Sequence, residues 1–266
     1  MMLRNIFLKS LWDKRYSLVW WGSGVILFVL MVMLFYPSVN TTDYDLILQS
    51  IDPNLLKIFV GNITSFNSPE GYLNSQLFFM IMPFIFLAFS VLLGSEILAR
   101  EEKKGTLELL LSAPISRWRV VLEKFAALTV ANIILGMVLF LSLLASAWWV
   151  DMNIDTIRLW DVSIALILFG LFFGGLSLAL TCIQGNRELS MGLAGGLGVV
   201  SYFLNALAPV VSELEPYQEL SVFYYYIGND PLLNGLDWWQ GAVLLISTLL
   251  LVAGGVLVFQ KRDLGT

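Results

Sequence analysis

The side chains that could do chemistry in this chain crowd into one stretch, residues 99–125, AREEKKGTLELLLSAPISRWRVVLEKF, a dense block of charge between two long apolar runs. The chemistry open to it is ion pairing and docking, because the rest of the inventory excludes catalysis of the familiar kinds. The chain has no histidine, and Cys182 is its only cysteine. Metal sites of the usual His/Cys type, thiol pairs and Ser-His or Cys-His dyads are therefore unavailable. No G-x-x-x-x-G-K-[ST] loop occurs, so the chain cannot hydrolyse ATP in the P-loop manner. The charged block reads as a loop built to be gripped by something else.

The elements that must hold this block are set by composition. Apolar residues make up 58% of the chain and charged residues only 13%, too little polar surface for a water-soluble protein of this size. Lipid removes that requirement. A helix rising about 1.5 Å per residue needs roughly 18 to 25 apolar residues to cross about 30 Å of hydrocarbon. Six such runs occur, near Leu18–Tyr36, Leu77–Leu98, Phe125–Val150, Val162–Cys182, Leu189–Val211 and Ala242–Phe259. They are continuously apolar, which favours helices over barrel strands. The fold class is an all-α integral membrane protein with a single transmembrane domain over 1–266. Pro83 falls inside the second run and predicts a kink there.

Orientation follows from the cations. Arg4, Lys9, Lys14, Arg15, Arg100, Lys103, Lys104, Arg117, Arg119, Lys124, Arg187, Lys261 and Arg262 all fall on one side of the six runs, leaving Lys57 and Arg158 for the other. The positive-inside rule then puts both termini and the 99–124 loop in the cytoplasm. Twelve of the twenty carboxylates lie outside, giving +5 within and −10 without, which together make the chain's −5. The acidic balance is an external face and argues for no basic partner, nor for nucleic acid.

Residues 1–16 are too charged for a removable signal peptide, and no small-residue cleavage site follows. Leu3, Ile6, Phe7 and Leu11 at helical spacing predict an amphipathic helix lying in the cytoplasmic interface, with an ordinary basic flank as the plainer reading. The spans themselves carry almost no charge, so proton- or ion-coupled transport lacks its usual buried carboxylates. Glu96, at the cytoplasmic end of span two, reads as an interfacial residue paired with neighbouring cations. Any uphill transport would need energy from a partner. In the external loop, Asn40-Thr41-Thr42 and Asn62-Ile63-Thr64 match a glycosylation pattern by coincidence, and 54–60 suits a small amphipathic helix.

Within the charged block Gly105 interrupts the helix leaving span two. Thr106 suits an N-cap for a short segment, LELLLS, that ends before Pro114, and Ser116 can cap the helix running into span three. A transverse helix with leucines at 107, 109, 110 and 111 around Glu108 would make a knob for a groove on another protein. A solvated loop would satisfy the same charges, and residue chemistry alone leaves the two equal.

The string E-x-x-x-R-E-E-x-x-G-T-L-E-L-L-L-S-x-P-I-S-R from Glu96 to Arg117, followed by E-K-F at 123–125, resembles the permease subunits of ABC-2-type transporters. The likeness extends to SPEGYL at 68–73, NALAPVV at 205–211, FYYYIGNDPLLNGLD at 223–237 and FQKRDL at 259–264, so it covers nearly the whole chain. It implies a type V, ABCG-like exporter half. Such a half has an N-terminal connecting helix, six spans, a coupling helix between spans two and three, and short re-entrant helices before span six. It also implies a prokaryotic plasma-membrane permease paired with a second copy or paralogue, and with two copies of a cytoplasmic ATPase. That ATPase would use the ATP and magnesium, while this chain binds no cofactor or metal. Carried over by position, Gly105, Thr106, Leu107, Glu108, Leu109 and Leu110 would form the coupling element. Arg100, Glu101, Glu102, Arg117 and Arg119 would flank it and contact the ATPase, whose closure would tilt spans two and five.

Two further groups of residues fit that picture. The external segment 212–240 has no lysine or arginine, is rich in aromatics and is broken by Pro216, Gly228, Pro231 and Gly235. It could dip back into the outer leaflet as a lid, with Phe223, Tyr224, Tyr225 and Tyr226 as an external gate; Trp238 and Trp239 read equally as an aromatic belt. Gly170 and Gly174 make G-x-x-x-G in span four, and Gly192, Gly195, Gly196 and Gly198 smooth span five. Span five is thus the expected dimer and pathway surface, carried by Gly192, Gly195 and Gly196. A mostly apolar interior suits a hydrophobic or amphipathic cargo, and the resemblance alone implies that it is exported. The alternative is a non-transporting scaffold or sensor that binds a partner through the 99–124 loop.

Overall fold

The computed structural model describes residues 6–40, 68–103 and 116–262, with side chains over 6–38, 68–96 and 116–262. Six helices are long and apolar enough to cross a membrane, and no strand occurs among the described residues. Span one is Ile6–Asn40, span two runs from Pro69 to Lys103, span three is Arg117–Trp149, span four Thr156–Gln184, span five Arg187–Leu207 and span six Trp238–Lys261. Each is longer than or shifted from the apolar run that marks it, because helices continue into polar flanks until a cap or breaker stops them. Asp155, Asn186 and Asp237 cap spans four, five and six through their side-chain oxygens, as short polar side chains do for orphan N–H groups. Ser116 occupies the N-cap position of span three in extended backbone but makes no side-chain cap bond. Gly185, with φ of +66°, closes span four in the left-handed conformation that glycine adopts without strain.

Residues 6–16 do not form a separate interfacial helix. They are the first turns of span one, which runs unbroken for 35 residues. No glycine or proline occurs between Ile6 and Trp21 to end it, and at about 1.5 Å per residue the helix exceeds the roughly 30 Å hydrocarbon thickness by some 20 Å. The stripe Ile6, Ser10 and Lys14 is buried, and Ile6 packs with Val120 and Val121 at the start of span three. The apolar face expected to meet lipid therefore covers protein. The opposite stripe, Leu8, Trp12 and Tyr16, is exposed, and the Arg15 guanidinium lies 4.3 and 4.4 Å from the Trp12 and Tyr16 rings.

Span four is the axis of the bundle, packed against spans two, three, five and six, while span one leans chiefly on span three. Glycine permits its closest approach: a Cβ on Gly94 of span two would collide with the Gly174 carbonyl of span four. Gly174 itself faces Leu128 and Ser90, and Gly170 faces Asn132 and Ser90. The G-x-x-x-G of span four thus serves packing inside the bundle. Buried polar groups reinforce it. Ser90 Oγ donates to Asn132 Oδ1 at 2.7 Å between spans two and three, and Ser177 Oγ donates to the Val91 carbonyl at 2.9 Å between spans four and two. In a medium without water such bonds have few competitors.

Span two is broken as Pro83 predicts, but N-terminal to the proline. Pro69–Leu73 is α-helical, Asn74–Phe78 has π-helical hydrogen bonding, two turn residues follow, and the α-helix resumes at Ile81. Proline lacks an N–H and crowds the carbonyls one turn earlier, so the ladder loosens there.

Candidate functional site

At the end of the bundle that carries the basic residues, Glu96 gathers three elements. Its Oε2 lies 2.6 Å from Lys14 Nζ of span one and 3.8 Å from Arg187 Nη2 at the start of span five. Helix periodicity builds this contact: Lys14 continues the buried Ile6–Ser10 stripe of span one, and Glu96 meets it from the end of the apolar run of span two. The Lys14 and Glu96 side chains are 11% and 25% exposed, so the pair is screened far less than a surface bridge. The pairing expected of Glu96 from the sequence is present.

A second pair sits one element away. Arg119 Nε donates to Glu123 Oε1 at 2.8 Å, and Glu123 Oε2 accepts the Phe7 N–H at 3.3 Å. A carboxylate thus stands at the N-terminus of span one, where orphan N–H groups and the helix dipole favour negative charge. Arg117 does the converse for span six. Its Nη1 donates to the carbonyls of Phe259, Gln260 and Arg262, the last at 2.6 Å. Those are carbonyls without helical partners, and a guanidinium satisfies several at once. Of the two arginines that flank the loop in sequence, Arg117 is turned to span six while Arg119 keeps an exposed side chain.

The acidic end is tied as firmly. Among residues 212–240, a 3-10 turn, Glu215–Leu220, leads into two short helices, Val222–Ile227 and Pro231–Asn234. Ser201 of span five fastens the first of these: its hydroxyl accepts the Val222 N–H at 2.7 Å, and Ser221 Oγ donates to the Ser201 carbonyl at 2.7 Å. Phe223 and Tyr226 are fully buried. The Phe223 ring packs edge-on against Tyr202 and Phe169, with centroids 5.4 and 4.8 Å apart. The Tyr226 hydroxyl donates to the Phe78 carbonyl at 3.0 Å, supplying a donor in the stretch where Pro83 withholds one. Burial, and then the nearby Asp230 carboxylate, push the Tyr226 hydroxyl well above its ordinary range, so it stays neutral and able to donate.

Asp230 completes this end. Its Oδ2 accepts from Asn74 Nδ2 at 2.7 Å, within the π-helical part of span two. Burial raises the carboxyl pKa, opposed by the N–H groups of Leu233 and Leu232 and by Asn74. Asn74 Oδ1 and Asp230 Oδ1 are both buried without a hydrogen-bond partner among the described residues. The run Phe223–Tyr226 therefore divides, two rings being built into the bundle and Tyr224 and Tyr225 lying half-buried. Trp238 and Trp239 are largely exposed at the start of span six, as an aromatic belt requires.

A family model described as ABC-2 family transporter protein matches residues 4–264. The chain belongs to the ABC-2 transporter family. No curated protein matches it. It is accordingly a membrane component of an ABC transporter, the class in which a separate ATPase hydrolyses the nucleotide.

The other residues singled out for this ABC-2 permease distribute as follows. Gly105 to Leu110 lie outside the described residues, as do residues 54–60. The backbone of Arg100, Glu101 and Glu102 is the last helical turn leaving span two. Gly192, Gly195 and Gly196 lie on a face of span five where an added Cβ meets nothing within 4 Å, beside exposed Leu193, Leu197 and Val200, whereas Gly198 turns inward to Leu87 and Phe173. Sequence reasoning missed Lys14 as the partner of Glu96 and Glu123 as the acceptor for the Phe7 N–H, both ordinary flanking charges until the helices meet. The Asn74–Asp230 contact, 156 residues apart in the chain, had no local signal at all.

Proposed function

We propose that this chain is the permease half of an ATP-driven exporter and that Glu96 is the node passing movement of the 99–124 loop to spans one and five. The observation that carries this reading is the double engagement of Glu96 by Lys14 and Arg187. It lies at the root of the helix that runs into that loop, at the end where thirteen of the fifteen cations gather. That end is cytoplasmic by the positive-inside rule, and the membrane is the plasma membrane of a prokaryote. Two copies of a cytoplasmic ATPase would grip the loop through Gly105 to Leu110, with Arg119 on the rim. The unpartnered glycine face of span five is the surface for a second permease copy. Spans two and five are also bridged at the opposite end, through Tyr226, Asn74 and Ser201, so relative motion of the two spans would reach the segment 212–240 and open the exit. A hydrophobic or amphipathic compound is the cargo that suits such a pathway.

The test is to reconstitute the chain with its cognate ATPase in lipid and to measure ATP turnover for the wild type, Glu108→Arg and Glu96→Gln. The expected result is a stable complex with permease-dependent turnover that both substitutions reduce. A complex that never forms, or turnover indifferent to the permease, overturns the proposal.

A further inference from the structure

Spans four and six, in close contact where Gly255 meets Ala179, leave an apolar groove of about 520 Å³ beside that contact in the half of the bundle nearer the basic end. One wall is Phe172, Leu176, Leu180 and Ile183 of span four; the other is Ser247, Leu250, Gly254 and Val258 of span six. Both walls repeat at three- and four-residue intervals, so each is one stripe of its helix. Each stripe covers twelve residues, a rise of roughly 16 Å at about 1.5 Å per residue, or half of a hydrocarbon core of about 30 Å. The groove is one leaflet deep.

Its mouth is cationic. Lys261 follows Val258 by three residues and so continues the span six stripe. It is exposed and pairs with no carboxylate among the described residues. The Arg262 guanidinium rests against Gly185, the cap that ends span four just beyond Ile183. Arg117 reaches the same place through the Arg262 carbonyl. Three cations therefore stand where the two walls end, while Ser247 is the one polar residue lining the groove.

We propose that this groove holds a phospholipid with an anionic headgroup, from the leaflet on the basic side, with an acyl chain lying between spans four and six and the phosphate at Lys261 and Arg262. Charge and length select this occupant. A second copy of a span would need a groove two leaflets deep, and a neutral lipid would bring no net negative charge to exposed Lys261 or to the positive field of the neighbouring arginines. Basic residues at the end of a span attract anionic headgroups over distances of a Debye length, and a tail buried against aliphatic walls adds the apolar part of the affinity. The proposal needs only the membrane location and stands whether or not the chain is an exporter.

Gly254 makes the test clean, because an added Cβ there meets nothing within 4 Å. Gly254→Phe places a ring in the groove from a position where the Cβ itself has open space, Gly254→Ala adds one methyl as a size control, and Lys261→Gln removes charge at the mouth. The delipidated full-length chain is titrated with dioleoylphosphatidylglycerol or dioleoylphosphatidylcholine, and bound lipid is counted by native mass spectrometry. The wild type and Gly254→Ala are expected to retain one phosphatidylglycerol per chain, at least tenfold tighter than phosphatidylcholine and not displaced by inorganic phosphate. Lys261→Gln should weaken phosphatidylglycerol severalfold and leave phosphatidylcholine unchanged, and Gly254→Phe should abolish the retained lipid at an unaltered unfolding temperature. Equal retention of the two lipids, displacement by inorganic phosphate, retention that survives Gly254→Phe, or loss of oligomeric state in Gly254→Phe would each overturn the proposal.

Discussion

Replacing Glu96 by glutamine should destabilise the chain more than any surface ion pair would, and the size of the effect follows from where the pair sits. Lys14 Nζ and Glu96 Oε2 are 2.6 Å apart, worth roughly 6 kcal/mol of attraction at an effective dielectric of about 20, most of it offset by desolvation. The informative quantity is the cost of leaving Lys14, with a side chain only 11% exposed, facing a neutral group. Breaking a fully buried pair costs about 3–5 kcal/mol, and the partial exposure of Glu96 reduces this to about 2–3. Arg187, 44% exposed and 3.8 Å away, adds at most about 1 kcal/mol. The unfolding temperature in detergent should fall by roughly 5–10 °C, at about 2–4 °C per kcal/mol for a chain of this size. Lys14→Met alone should cost a similar amount, whereas the double variant removes both charges and should recover most of the loss. That is a coupling energy of about 2 kcal/mol in a double-mutant cycle. If Glu96 passes force to span one, the double variant regains stability but not permease-dependent ATP turnover. Single substitutions that add within about 0.5 kcal/mol, or a double variant with normal turnover, would refute the reasoning.

Other outcomes follow from the same contacts. Gly94→Ala drives a Cβ into the Gly174 carbonyl and should cost about 2–3 kcal/mol by overpacking, read as a lowered unfolding temperature; Gly195→Leu starts from a position where a Cβ meets nothing within 4 Å among the described residues and should leave that temperature unchanged while weakening the dimer proposed on that face, read by light scattering. Tyr226→Phe leaves the Phe78 carbonyl without its 3.0 Å donor and should cost about 1–2 kcal/mol, with faster hydrogen exchange confined to 222–227 and the π-helical part of span two. Asp230 has a raised pKa through burial. The folded state therefore holds its proton more tightly than the unfolded chain, and its contribution is full below the ordinary aspartate range and lost as pH rises through the higher folded value. Thermal stability measured across that window should decline with pH in the wild type. The decline should vanish in Asp230→Asn, whose amide can also donate to the orphaned Asn74 Oδ1.

The six spans, the clustering of the cations and the lack of histidine were all legible in the sequence, since hydropathy, charge and inventory are sums over residues that no packing can alter. The break before Pro83 was legible too, because a missing N–H acts locally. What the chain pattern misplaced was the face of residues 6–16. Leu3, Ile6, Phe7 and Leu11 are apolar at helical spacing, but spacing says only that a face is buried, and whether lipid or span three covers it depends on a helix more than a hundred residues away. The same limit applies to the glycines. Span four's Gly170 and Gly174 and span five's Gly192, Gly195 and Gly196 look alike in sequence, yet the first pair is closed over by spans two and three and the second group faces open space. Composition and periodicity fixed what each helix could bury. Only the tertiary structure, by choosing which helices meet, decided that Glu96 would hold Lys14 and Arg187, that Asp230 would reach Asn74, and that Arg117 would end span six.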